Sequence, residues 1–330
     1  MAPIDRRVRA WAWLVRRQGS VDTKSEADIV AMQSRQMPSN GLANWIFGAV
    51  VGGVAAEDRG VSGPAGEIPI RVYRPTAGGR AASALVVNFH GGGFVFGDLR
   101  MADWMCSSVA ATVGAVVVSV DYRLAPTHRF PAAVDDCYAA LTWAAENAAD
   151  LGAAPGGEAT APRIGVMGES AGGNLSAVMC LLARDRGGPQ ISHQALLYPA
   201  TDLTTVHSTA AKTLILSAPE MLAFRRLYLN DADPADPRAS PLLAADHSRL
   251  PPALIQVAEH DPLRDDGVRY AAALRSAGVP VRLTEYVGVP HGYLNFPGVC
   301  RSAGQAMAEI CAEQTAALVE TESRAAGKVA

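Results

Sequence analysis

Ser170 stands at the centre of Gly168-Glu169-Ser170-Ala171-Gly172, between an apolar run from Arg163 to Met167 and an Ala/Leu-rich stretch that begins at Ala171. A serine hydroxyl becomes a useful nucleophile when a sharp bend projects it from the backbone and a base can take its proton. The G-x-S-x-G spacing supplies the bend, because glycines at 168 and 172 remove side chains that would collide across a strand-to-helix turn. The hydroxyl would then lie at a helix N-terminus, where free N–H groups favour developing negative charge. A serine N-cap between two glycine turns has the same local spelling, and the strand before and helix after are what point to chemistry.

Upstream, His90-Gly91-Gly92-Gly93 follows the apolar run Ala84 to Phe89. Three consecutive glycines carry an entropic cost unless the backbone itself is needed. Here the N–H groups of Gly92 and Gly93, with that of Ala171, are placed to receive the oxygen of a tetrahedral intermediate, each such donor contributing about 3 kcal/mol in the transition state. A nucleotide-binding reading of the loop fails on spacing, since Phe96 occupies the last glycine position of G-x-G-x-x-G.

When a serine sits in this kind of turn, acid and base follow it in chain order. The downstream histidines are His193, His207, His247, His260 and His291. His291 is favoured as base because it follows the last strand run in a loop, Val287 to Gly292, that reaches the strand ends where Ser170 would be. Asp261 is favoured as the orienting acid because it closes the run Ala253 to Ala258, whereas Asp265 and Asp266 lie a turn into the next helix. Asp261 before Pro262 also spells a helix N-cap.

These residues need a scaffold that brings distant strand ends together. Strands are expected at Val54 to Asp58, Ile68 to Tyr73, Ala84 to Phe89, Ala115 to Val120, Arg163 to Met167, Gln194 to Tyr198, Ala253 to Ala258 and Val281 to Tyr286. Helices are expected at Met101 to Val113, Ala132 to Asn147, Ala171 to Arg184, Leu263 to Ser276 and Ser302 to Thr321. The alternation predicts an α/β architecture with a mainly parallel sheet. Two stretches break the rhythm: the first fifty residues, which open with an arginine-rich amphipathic helix, and Ala200 to Pro252, which includes the turn-laden Asp231 to Pro241. The expected division is a cap segment at 1–53, core at 54–199, a cap insertion at 200–245 and core again at 246–330.

Taken together, His90-Gly91-Gly92-Gly93, Asp121-Tyr122-Arg123-Leu124-Ala125-Pro126, Phe130-Pro131-Ala132-Ala133, Gly168 to Asn174, Asp261 to Asp265 and His291-Gly292 resemble the bacterial hormone-sensitive-lipase-like esterases of the α/β-hydrolase superfamily. The resemblance implies an α/β-hydrolase fold with an eight-stranded sheet and a helical cap, hydrolysis of short- to medium-chain acyl esters, no cofactor, and a homodimer. It carries triad roles to Ser170, Asp261 and His291 and oxyanion roles to Gly92, Gly93 and Ala171. Glu169 departs from the family's usual Asp, and Thr127 from its usual Glu. Asp121 and Arg123, two apart on an extended segment, are expected to join a local structural network. Trp11, Trp13, Trp45, Phe47 and Phe224 are expected in the cap, lining an acyl pocket or packing its interior.

Composition narrows the field. The 330 residues are 49% hydrophobic and 18% charged, which suits a packed globular chain. A net charge of −3 gives no general attraction to nucleic acid or anionic lipid, and no basic stripe is evident beyond the first turns of the N-terminus; the partner that the resemblance implies is a small-molecule ester. Five scattered cysteines form neither a disulfide framework nor a zinc site, so a reducing cytoplasm is expected. The apolar run Leu42 to Ala56 is too short to insert stably in a bilayer and reads as a buried or substrate-facing segment. The triad would serve an amidase, peptidase or thioesterase equally well, and a non-catalytic receptor would keep the pocket without needing the base.

Overall fold

The computed structural model describes residues 2–17, 19–35, 40–76, 82–154, 161–206 and 214–319. Its strands are β1 (Val54–Gly63), β2 (Gly66–Pro75), β3 (Ala84–Phe89), β4 (Ala115–Val120), β5 (Arg163–Glu169), β6 (Ile191–Leu197), β7 (Ala253–His260) and β8 (Val281–Pro290), in the order β1-β2-β4-β3-β5-β6-β7-β8. β1 and β2 form an antiparallel hairpin, β2 joins β4 antiparallel, and every later pairing is parallel.

The helices are α1 (Arg6–Arg16), α2 (Glu26–Gln33), α3 (Gly41–Phe47), α4 (Asp103–Val113), α5 (Ala132–Glu146), α6 (Ala171–Arg186), α7 (Ala218–Leu229), α8 (Arg264–Ser276) and α9 (Ser302–Leu318). The central strands are buried on both faces, and their alternation divides the core into two layers. Leu85, Val87, Val116 and Val118 pack with α5, α6 and α8, while Val86, Val117 and Met167 pack with α4 and α9.

β1 runs five residues beyond its expected end. It is an edge strand and mostly exposed, so Arg59 to Gly63 carries no apolar run to mark it, and pairing with Gly66 to Ile70 extends it instead. Residues 320 and 321, the expected end of the last helix, lie outside the described residues.

Register decides which loops meet. Phe89 pairs with Gly168, so the loops after β3 and β5 leave the sheet side by side. His260 pairs with Pro290, so the loops after β7 and β8 do the same. β6 stands between these two pairs, and all four loops emerge at strand C-terminal ends.

Candidate active site

At the end of β5 the chain turns into α6 through Ser170, whose φ of 56° and ψ of −116° form a backbone that L-residues rarely adopt. The bend is held by the Ser170 N–H donating to Leu197 O at 2.8 Å. A Cβ on Gly172 would stand 1.8 Å from the carbonyl oxygen of Phe89, so the helix can approach β3 this closely only with glycine there.

His291, in the loop after β8, places Nε2 2.9 Å from Ser170 Oγ. Its Nδ1 lies 2.7 Å from Asp261 Oδ2. A carboxylate only accepts, so Nδ1 carries the proton and Nε2 is left to accept from the serine hydroxyl. Asp261 Oδ1 meanwhile accepts the Leu263 N–H at 2.8 Å. Asp261 is not the N-cap expected of it: that position falls on Leu263, with no side-chain cap, and Asp261 instead closes the turn ahead of α8 with the oxygen opposite the one that meets His291. The ring of Tyr198 meets the imidazole edge-on at 5.0 Å.

The other expected candidates are engaged elsewhere. His193 is buried in β6, where burial pushes its pKa down to about 4. His247 Nε2 lies 3.0 Å from Pro241 O and His260 Nε2 2.7 Å from Ala2 O. His207 lies outside the described residues. Asp265 pairs with Arg264, and the buried Asp266 accepts the N–H groups of Thr201 and Asp202.

Facing the serine, Gly92 at φ 113° and Gly93 at φ 65° turn the loop after β3. Gly92 O accepts from the N–H groups of Val95 and Phe96, while the N–H groups of Gly92, Gly93 and Ala171 donate to no protein acceptor among the described residues. All three residues line the cavity with Ser170 and His291.

The loop is pinned from behind by contacts that sequence patterns did not reveal. Glu169 Oε1 accepts the Gly91 N–H at 2.7 Å, and the Tyr122 hydroxyl donates to His90 O at 2.7 Å while its ring stacks on the His90 imidazole. Position 169 carried a signal only as a departure from the family. Its extra methylene, relative to Asp, lengthens the reach from β5 to the neighbouring loop.

Burial pushes the Glu169 carboxyl up to about 7, against the opposing pull of the Gly91 N–H. The folded value therefore lies above the unfolded one of about 4.3. The stability that comes from keeping this acid neutral is fully present below that value and is lost as pH rises through about 7. Urea unfolding of Glu169→Gln across this range should lack that part of the decline, on the order of 3 kcal/mol, relative to wild type. Parallel curves for the two proteins would show that Glu169 is not the source.

Asp121 and Arg123 do not pair with each other. Arg123 forms an ion pair with Asp136 at 2.7 Å, and Asp121 lies 3.8 Å from His90 Nε2 with its carboxyl pushed up to about 6 by burial. Arg123 thus joins a local ion pair, as expected, while Asp121 is not part of it.

The cavity above Ser170 has a volume of about 390 Å³ and mostly apolar walls. Trp11, Val15, Met32 and Phe47 come from the first fifty residues, and Met221 and Phe224 from α7. Of the five expected aromatics, Trp13 and Trp45 do not line it and are exposed, at 55% and 57%. The apolar run from Leu42 is likewise split: Ala43 is buried and Phe47 faces the cavity, but Leu42 is 67% exposed. Among the described residues no helix is long and apolar enough to cross a membrane.

A family model for the alpha/beta hydrolase fold matches residues 86–295. The chain is 49% identical over 252 residues to the carboxylic ester hydrolase LipN of Mycobacterium tuberculosis, a match covering 73% of this chain and 65% of that protein. It is 47% identical over 247 residues to the carboxylesterase NlhH of the same species, covering 73% of this chain and 75% of that one. Among solved structures, a hyperthermophilic esterase from Pyrobaculum calidifontis superposes with a TM-score of 0.76 at 38% identity, covering 96% of this chain and 99% of the other. The fold, the meeting of strand ends and these similarities agree, and the chain belongs to the α/β-hydrolase fold family, among its hormone-sensitive-lipase-like esterases.

Proposed function

We propose that the chain is a serine carboxylesterase that hydrolyses short- to medium-chain acyl esters through an acyl-enzyme. The observation that carries this reading is the unbroken line from Asp261 Oδ2 through His291 to Ser170 Oγ, at 2.7 and 2.9 Å, opposite three backbone donors that have no protein partner among the described residues.

In the first step Ser170 Oγ attacks the ester carbonyl carbon and its proton passes to His291 Nε2. The carbonyl oxygen takes up negative charge and rests on the N–H groups of Gly92, Gly93 and Ala171. As the tetrahedral intermediate collapses, the carbon–oxygen bond to the alcohol breaks and His291 returns the proton to the leaving oxygen. Water then repeats the sequence on the acyl-enzyme, releasing the acid and restoring the serine. Asp261 holds the imidazole tautomer and stabilises the imidazolium in both halves. The proton travels on His291 and the oxyanion on backbone donors, so the reaction invokes no cofactor.

Residues 1–53 and 200–245 act as the cap, furnishing most of the wall that contacts the acyl and alcohol groups. The cavity volume supports the short- to medium-chain preference. The five cysteines are free and buried, which supports work in a reducing cytoplasm.

Turnover of a p-nitrophenyl acyl series, set beside the matching anilides, tests the assignment. Hydrolysis is expected to peak at short to medium acyl lengths and to exceed anilide cleavage by a wide margin. Comparable rates on the anilides would make amide hydrolysis the better reading.

A further inference from the structure

Helix α1 has two unlike faces. Val8 and Ala12 are buried and Trp11 and Val15 line the cavity, and at 3.6 residues per turn these four share one stripe. On the opposite side Trp13 and Leu14 are 55% and 51% exposed, flanked by Arg6, Arg7, Arg9 and Arg17, which are exposed as well. The Arg17 guanidinium lies 3.9 Å from the centre of the Trp13 ring.

Residues 6–17 hold five arginines and no acidic residue, in a chain whose net charge is −3. Helix α3 is a neighbour, since the rings of Trp11 and Phe47 meet edge-on at 5.5 Å. It leaves Leu42 and Trp45 outward at 67% and 57% exposure. Each of these two helices, whose inner sides help wall the cavity, thus turns two large apolar side chains to solvent, and α1 adds a block of arginines.

We propose that this face docks the protein reversibly on an anionic lipid surface, with Trp13, Leu14, Leu42 and Trp45 seated among the headgroups. Arginines along a helix with tryptophan and leucine between them match such a surface in both charge and polarity. A second copy of the chain fits less well, because a symmetric contact would set this arginine block against itself. A soluble polyanion would satisfy the arginines and leave the exposed tryptophans and leucines without a role. Where the esterase reading above holds, as this part of the proposal assumes, docking sets the cavity beside the membrane and makes esters dissolved in lipid the substrates that reach Ser170.

The test uses the full chain and vesicles of phosphatidylcholine with or without phosphatidylglycerol, read by co-sedimentation and by the tryptophan emission maximum. Wild type is expected to sediment with the anionic vesicles only, with a blue-shifted emission, and to be released by salt. Arg6→Gln/Arg7→Gln/Arg9→Gln should partition on the order of a hundredfold more weakly, and Trp13→Ala/Leu14→Ala should lose the blue shift.

Both variants should hydrolyse a small soluble ester at the wild-type rate, which shows that they are folded. Wild type that ignores anionic vesicles overturns the docking proposal. So do variants that still bind fully, equal binding to heparin without an emission shift, or a dimer that the same substitutions dissociate. Vesicle binding needs no turnover: protein that cleaves the soluble ester but ignores vesicles sinks docking alone, and protein that binds vesicles but cleaves nothing sinks the esterase reading alone.

Discussion

Ser170→Ala is expected to lower kcat/KM on a soluble ester by on the order of a millionfold. On the proposed mechanism the substitution deletes the nucleophile and little else. Alanine has the same Cβ as serine, so the cost of the φ 56° turn is unchanged. The N–H of residue 170 still donates to Leu197 O, and the three backbone donors stay in place. The unfolding midpoint should accordingly stay close to wild type, and a small rate above that in water should persist from the donors and from binding. An organophosphate should add one adduct to wild type by intact mass and none to the variant. A variant with wild-type turnover would remove the basis for the whole mechanism.

Asp261→Asn should reduce kcat by about ten-thousandfold, with KM changing far less. An asparagine can keep the turn contact, its oxygen accepting the Leu263 N–H that Asp261 Oδ1 now accepts at 2.8 Å. Its NH2 group then faces His291 Nδ1 as a donor. That forces the ring proton onto Nε2, the atom that must accept from Ser170 2.9 Å away. On the proposed mechanism catalysis is lost while the turn ahead of α8 survives, which separates the two contacts of this carboxylate. A fall of less than tenfold in kcat, with the fold intact, would show that the tautomer is not under Asp261's control.

The site was legible where chemistry and local backbone coincide. The glycines around Ser170 announce a turn whose sterics the structure makes concrete at Gly172, and the run Ala253 to Ala258 marks the strand that delivers Asp261. Parallel strands buried on both faces are apolar almost throughout, so β3, β4 and β5 stood out at close to their true lengths.

Less legible were features set by partners far along the chain. The contact between Glu169 and the Gly91 N–H spans 78 positions and depends on Phe89 and Gly168 being in register. Gln33, which donates to Val95 O and Ala125 O, had no local pattern to single it out. Trp13 and Trp45 were grouped with Trp11 and Phe47 because composition alone does not say which side of a short helix faces inward.

The cavity's construction also bears on how such a protein can be altered. On the proposed mechanism bond breaking falls to loops rooted in the sheet, whereas Trp11, Met32, Met221 and Phe224, which line the space above them, sit on helices from two separate stretches. A mutational library confined to those helices can sample new substrate shapes against constant reaction chemistry, and its failures will mostly be molecules that no longer fit rather than enzymes that no longer fold.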